Sequence, residues 1–207
     1  MNRGGIFVVG MHRSGTSALS GLLVNMGAYF GPEEQRLPNK MANPKGYWER
    51  WDVVMANDRL LARHGLEWHR TAAYRNEFFE SMTTDECRAE LGAMVEDYEA
   101  HRPWFVKDPR ICLTLPCWKR LVPGAVAVIV TRDPLQIALS LESRGDGPVS
   151  VGLALWEIYT AAAFHHTRNL PRIVVSYERV LTDPVSELRR LLRFFEQNGV
   201  AGLTLPP

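Results

Sequence analysis

Residues 6–23, "IFVVGMHRSGTSALSGLL", constrain the fold more tightly than any other stretch of the chain. A short run of apolar, β-favouring residues ends at Gly10, a polar turn carries the chain to Gly15, and the apolar spacing of a helix begins at Thr16. A buried strand feeding a helix through a glycine turn is the opening half of a βαβ unit. Such a turn points several backbone N–H groups at one place, and the helix dipole favours an anion there by about 0.3–1 kcal/mol at an exposed site. Ser14, Thr16 and Ser17 add hydroxyl donors, and Arg13 adds a charged fork suited to phosphate or sulfate. In a P-loop nucleotide triphosphatase, lysine follows the second glycine and reaches the β- and γ-phosphates. Thr16 stands in that position, so a phosphate-bearing ligand is expected while ATP hydrolysis is disfavoured. A glycine turn of this kind could also serve packing alone.

Three further segments have the same strand character: "WFVKD" at 104–108, "VAVIVT" at 126–131 and "RIVVSY" at 172–177. Helical patterns fall between and around them, at 16–26, 51–64, 84–101, 134–143, 150–169 and 184–197. Strands alternating with helices predict an α/β chain, a three-layer P-loop-like fold whose central, mainly parallel sheet is flanked by helices. The length of 207 residues suits one domain, 1–207, with a loop and helical segment at about 30–100 over the site. Its Pro-, Asn- and Gly-rich stretch "GPEEQRLPNKMANPKGYWERW" reads as a loop leading into helices, and the final "GLTLPP" as an unstructured tail.

Charge removes several function classes. With 24 basic and 23 acidic residues the formal charge is +1, so neither a nucleic-acid groove nor a polybasic membrane patch has global support. No apolar run approaches the roughly 20 residues of a membrane span, and the N-terminus lacks a signal-peptide pattern, so a soluble, cytoplasmic protein is expected. Three cysteines, Cys87, Cys112 and Cys117, lack a paired CxxC spacing and are expected to be reduced and to serve packing. The six histidines show no spacing of a metal site, and none is expected.

A second anion site follows the third strand. Arg132 comes directly after Thr131, and Ser140 lies eight residues on, inside the next helix, where the two can converge on one phosphate. Taken singly, Arg132 could equally be an ion-pair partner of Asp133, and Ser140 an ordinary helix hydroxyl.

Together, "HRSGTS" at 12–17 and "TRDPLQIALS" at 131–140 resemble the PAPS-dependent sulfotransferases, small bacterial-type members included. The resemblance implies a sulfuryl donor, 3′-phosphoadenosine-5′-phosphosulfate (PAPS), with PAP as product and no metal. It implies that His12, Arg13, Ser14, Gly15, Thr16 and Ser17 hold the phosphosulfate, with Arg13, at a position usually taken by lysine, in a catalytic role: contacting the bridging oxygen and helping the leaving phosphate carry its charge as a hydrogen-bond donor. Arg132 and Ser140 would take the 3′-phosphate, and Tyr177 would lie near adenine. Two departures stand out: Ala18 replaces the tryptophan that cytosolic members stack on adenine, and no late Arg-Lys-Gly segment precedes the chain end.

Sulfuryl transfer needs a base near the acceptor and positive charge near the leaving oxygen. "NPKGYWERW" at 43–51 resembles the acceptor-side segment that carries a catalytic glutamate, which makes Glu49 a candidate base; a plain helix-start carboxylate is the alternative. Lys107 and Asp108 lie at the second strand's end, where Lys107 could stabilise the sulfuryl group and Asp108 could accept a proton or orient Arg110. Pro109 occupies the place of the histidine in the Lys-x-His of many cytosolic members, so a histidine-base mechanism does not carry over. Trp48, Trp51, Trp68 and Trp104 could line an apolar acceptor pocket, and Arg144 could add charge near the second site. The expected function is transfer of a sulfuryl group to a hydroxyl or amine of a small-molecule, carbohydrate or natural-product acceptor. A P-loop kinase, or a non-catalytic module that only holds PAP or PAPS, are the alternatives.

Overall fold

The computed structural model describes residues 4–38 and 46–206. Four strands, β1 (Gly5–Val9), β2 (Trp104–Lys107), β3 (Val126–Thr131) and β4 (Arg172–Ser176), form one sheet in the order β2-β1-β3-β4, with every neighbouring pair parallel. All lie within a residue or two of the runs that composition predicts. β1 and β2 are buried along their whole length and β3 over all but its last residue, as strands covered on both faces must be.

Alternation sends the side chains two ways. Phe7, Val9, Trp104, Val106, Ala127 and Ile129 enter one core with α2 (Trp51–Ala62), α4 (Thr84–Ala100), α5 (Ile111–Leu121) and α7 (Val149–His166). Ile6, Val8, Phe105, Val126, Val128 and Val175 enter the other, against α1 (Thr16–Asn25) and α9 (Pro184–Gln197). The result is a three-layer α/β architecture. α6 (Pro134–Glu142) packs along α7, and the short α3 (Glu77–Glu80) and α8 (Tyr177–Thr182) complete the set among the described residues.

Three features depart from the sequence expectation. α5 is one of them: Pro116 sits inside it, and a proline there removes a helix donor at a cost of about 3 kcal/mol. Continuous burial from Ile111 to Trp118 outweighs that loss. Next, Cys87 on α4 and Cys117 on α5 are joined as a disulfide, Cα–Cα 5.1 Å apart, rather than remaining separate thiols. Last, the chain end is tied down: the Thr204 N–H donates to the Met26 carbonyl at 3.0 Å, and Leu203 is buried in the α1/α9 core. Among the described residues no helix is long and apolar enough to cross a membrane.

Parallel pairing brings Val9, Lys107, Thr131 and Ser176 to the same edge of the sheet. From there β1 connects toward β2 on one side while β3 connects toward β4 on the other. The crevice between β1 and β3 is therefore the switch point at which ligands bind in open parallel sheets.

Candidate functional site

The β1–α1 loop is held in shape by its glycines and by what presses on them. A side chain at Gly10 would lie 2.7 Å from both Ser14 Oγ and the Val130 carbonyl. The turn passes through the left-handed region at Arg13 (φ 68°) and Gly15 (φ 95°). A Cβ on Gly15 would fall 2.1 Å from the Tyr177 ring, so Tyr177 closes directly over the loop. Cys112 supports it from below, its sulfur accepting the Gly10 N–H at 3.1 Å while burial pushes the thiol up to about 12. Gly15 is also the N-cap of α1 and supplies no side-chain cap, which leaves the first N–H groups of the helix for another acceptor. Ser14 Oγ is buried with no hydrogen-bond partner among the described residues.

Arg13, Arg132, Ser140 and Tyr177 come together at the crevice. Arg132 Nη1 donates to the Arg13 carbonyl at 2.9 Å, and Arg13 Nε donates to Ser140 Oγ at 2.9 Å. The Arg132 guanidinium lies 4.8 Å over the Tyr177 ring. Asp133 caps α6, its carboxylate accepting the Gln136 N–H at 2.9 Å, and so fixes Arg132 just before the helix. Burial, then the neighbouring Arg144, lowers the Arg13 guanidinium from its ordinary value.

On the other side of the loop stands a buried ion pair. Lys107, 2% exposed at the end of β2, donates to Glu49 Oε1 at 2.5 Å and to Ser17 Oγ at 3.2 Å. Ser17 Oγ in turn donates to the Tyr47 carbonyl at 3.0 Å. Burial raises the Glu49 carboxyl above its usual range, against the pull of Lys107. Glu49 precedes α2, while residues 43–45 of the "NPKGYWERW" segment lie outside the described residues. Asp108 is fully buried and accepts from Asn57 Nδ2 at 2.9 Å and from Arg110 Nη1 at 2.8 Å. Arg110 also reaches Asp58 at 2.5 Å, so Asp108 sits behind Arg110 and orients it.

Two cavities meet here. The first, about 260 Å³, is walled by the loop (Arg13, Gly15, Thr16, Ser17), Arg132 and Tyr177. The second, about 270 Å³, is walled by Leu37, Pro38, Trp51, Val54, Trp68 and Arg110. His12, Tyr47, Glu49 and Arg144 line both. His12 packs its ring against Trp68 at 4.7 Å and Tyr159 at 5.7 Å, and burial, aided by Arg110 and Arg144, keeps the imidazole neutral well below its usual range. It thus stands at the junction of the cavities, between the loop and the acceptor-side helices. Arg144 is the residue whose place sequence reasoning left open; it follows Ser140 by one helical turn's spacing, which is the signal that aligns it with the site.

The four tryptophans separate. Trp51 and Trp68 line the second cavity. Trp104 is fully buried under the sheet, and Trp48 packs edge-on to Phe30 beneath the Arg36 guanidinium. Far from both cavities, Glu80, His165 and His166 bring ligand-type atoms within 4.8 Å of one another. Arg168 already bonds His165 and pairs with Glu80, which makes this an ion-pair network rather than a cation site.

The model of the sulfotransferase family matches residues 5–198, nearly the whole chain. The chain belongs to that family. Solved structures agree with this sulfotransferase in fold. The sulfotransferase domain of the olefin synthase from Synechococcus PCC 7002 aligns with a TM-score of 0.57 at 21% identity, over 94% of this chain and 74% of that one. The sulfotransferase domain from the curacin biosynthetic pathway aligns at 0.52 and 15% identity, over 95% and 75%. Sulfotransferase STF1 from Mycobacterium tuberculosis H37Rv aligns at 0.54 and 17% identity, over 99% and 73%. No curated protein matches this sulfotransferase in sequence.

Proposed function

We propose that this sulfotransferase moves a sulfuryl group from PAPS to a hydroxyl or amine of a small acceptor, with the donor in the first cavity and the acceptor in the second. The observation that carries the reading is the meeting of the two cavities at a buried carboxylate, Glu49, held by Lys107. The first cavity suits a nucleotide with two anionic ends. It offers an uncapped helix N-terminus, the orphaned Ser14 hydroxyl close by, and three arginines, Arg13, Arg132 and Arg144.

PAPS, when bound, supplies a sulfuryl group already activated by its phosphate leaving group. The chain's own residues do the rest. Thr16, Ser17 and the α1 N–H groups hold the phosphosulfate end, and Arg13 spans from there to Ser140. Arg132 and Ser140 take the 3′-phosphate, with Tyr177 beside the base. Lys107, in contact with both Ser17 and Glu49, places positive charge where the leaving oxygen gains electrons. Glu49 accepts the acceptor's proton, since burial has raised its affinity for one. Asp108 serves by fixing Arg110.

Calorimetry with PAP, ADP and ATP tests the donor assignment. PAP should bind more tightly than ADP without magnesium, and Arg132→Ala should erase most of that preference. Magnesium-dependent ATP binding stronger than PAP binding would overturn the reading in favour of a kinase. PAP binding with no transfer to any acceptor would leave a non-catalytic module.

A further inference from the structure

Residues 47–50, Tyr-Trp-Glu-Arg, divide their side chains. Tyr47 and Glu49 line both cavities. Trp48 and Arg50 turn the other way and are gripped. The Trp48 ring packs against the α1/α9 core, edge-on to Phe30 at 5.6 Å, with the Arg36 guanidinium 4.0 Å over it. It comes up against α1 at Gly21, where an added Cβ would fall 3.2 Å from the indole Nε1. Arg50, 4% exposed, donates to Asp52 at 3.0 and 2.7 Å and to Asp97 of α4 at 2.5 Å, with its guanidinium 4.6 Å over the Tyr98 ring. The Leu37 N–H adds a bond to the Glu49 carbonyl at 2.9 Å. Glu49 is therefore carried between two anchors.

One anchor holds a conformation that the chain would not keep unaided. Trp48 has a φ of 52°, in the left-handed region, where a bulky side chain is rare and costly. Such a backbone persists only where its surroundings over-determine it. Here those surroundings are Phe30, Arg36 and the gap at Gly21, and all of them act on the ring. Relaxation of φ to the negative side would turn the peptide that follows. It would swing the Glu49 carboxylate away from Lys107, now 2.5 Å distant, and from the charges of Asp108 and Arg110 that it also feels.

We propose that Trp48 is a positioning residue for the transfer: its wedged indole holds the left-handed turn that presents the Glu49 carboxylate to Lys107 at the junction of the cavities. The inference rests on the reading of Glu49 as the base. It also links the two ends of the reaction, because the indole leans on α1, the helix whose first turn walls the first cavity.

The test is a carbon-13 NMR titration of the Glu49 carboxyl, assigned by its loss in Glu49→Gln, for the wild type, Trp48→Ala, Trp48→Gly and Trp48→Phe. In the wild type the midpoint should stand above the ordinary carboxylate value, as burial dictates. Trp48→Ala should bring it down toward that value as the side chain reaches water, and Trp48→Phe should restore most of the change. Trp48→Gly should lie between, because glycine takes the left-handed turn freely but has no ring to hold it. A ring that only filled space would leave glycine no better than alanine. Arg36→Ala takes the cation off the ring and no apolar side chain out of either core. It should move the midpoint in the same direction by less, and it decides the question if Trp48→Ala loses its fold or its affinity for PAP. A midpoint that stays raised in the deciding variant overturns the inference, as does one that falls as far in Trp48→Phe as in Trp48→Ala, or a glycine variant no closer to wild type than the alanine one. A wild-type midpoint at the ordinary value overturns Glu49 as the base and this inference with it, whereas failure of PAP to bind the wild type overturns the donor reading alone.

Discussion

The two cavities are nearly equal in volume and opposite in construction. The first is made of backbone and cation: a loop turned by Gly15, an uncapped helix end, Arg13 and Arg132. The second is made of rings and aliphatic surface from α2 and the segments around it, its charges already neutralised by neighbours. On the proposed reading, the contrast separates recognition of an ionic donor from recognition of an acceptor. Among the described residues Glu49, His12, Tyr47 and Arg144 belong to both.

The sharpest way to break this division is at the shared carboxylate. Glu49→Gln should lower turnover by roughly 10²–10⁴-fold while leaving PAP affinity close to wild type, measured by transfer kinetics beside calorimetry. The pH profile checks the same residue. Because burial raises the Glu49 carboxyl, the acid limb of activity should have its midpoint above the ordinary carboxylate value, and Glu49→Gln should remove that limb. Stability runs in the opposite sense. A folded protein that holds this proton more tightly than the unfolded chain loses stability as pH rises from the ordinary carboxylate value to the raised one, and thermal unfolding across that window should show it.

Removing the partner comes next in size. Lys107→Met leaves a buried, unpaired carboxylate and should cost about 3–5 kcal/mol in denaturant unfolding, whereas Lys107→Met combined with Glu49→Gln should recover much of it. At the donor end, Arg132→Ala should weaken PAP binding by roughly ten- to a hundredfold, from the loss of a charge-assisted contact of about 1.5–3 kcal/mol. The smallest effect should come from a control remote from both cavities. Thr83 and Glu86 form the capping box of α4, so Thr83→Ala should cost about 1 kcal/mol of stability and leave PAP affinity unchanged.

Much of the first cavity's wall was legible because it is local. "HRSGTS" occupies one turn whose dihedrals and glycine contacts fix its shape, and Arg132 stands just before a helix that starts where the sequence says, with Ser140 on it eight residues later. The acceptor end was legible only as a set of residue types. Four tryptophans looked alike in sequence, and packing alone assigns Trp104 to the core and Trp51 to a cavity wall. α5 went unread because Pro116, inside the helix, reads in sequence as a breaker. The pairing of Cys87 with Cys117 depends on α4 and α5 lying side by side, which no spacing of cysteines conveys.

The sequence by itself determined four strands, the helices between most of them, and a glycine turn built to receive an anion. Neighbouring residues set these through backbone geometry and side-chain periodicity. That β4, unlike the other three, is largely uncovered was decided by its place at the sheet edge. Tertiary structure decided that Lys107, 58 residues from Glu49, would lock that carboxylate beside Ser17, and that His12 and Arg144 would stand where two cavities meet. Those relations arise when parallel strand ends converge on one edge of the sheet, so they follow from how the elements pack and not from where they lie along the chain.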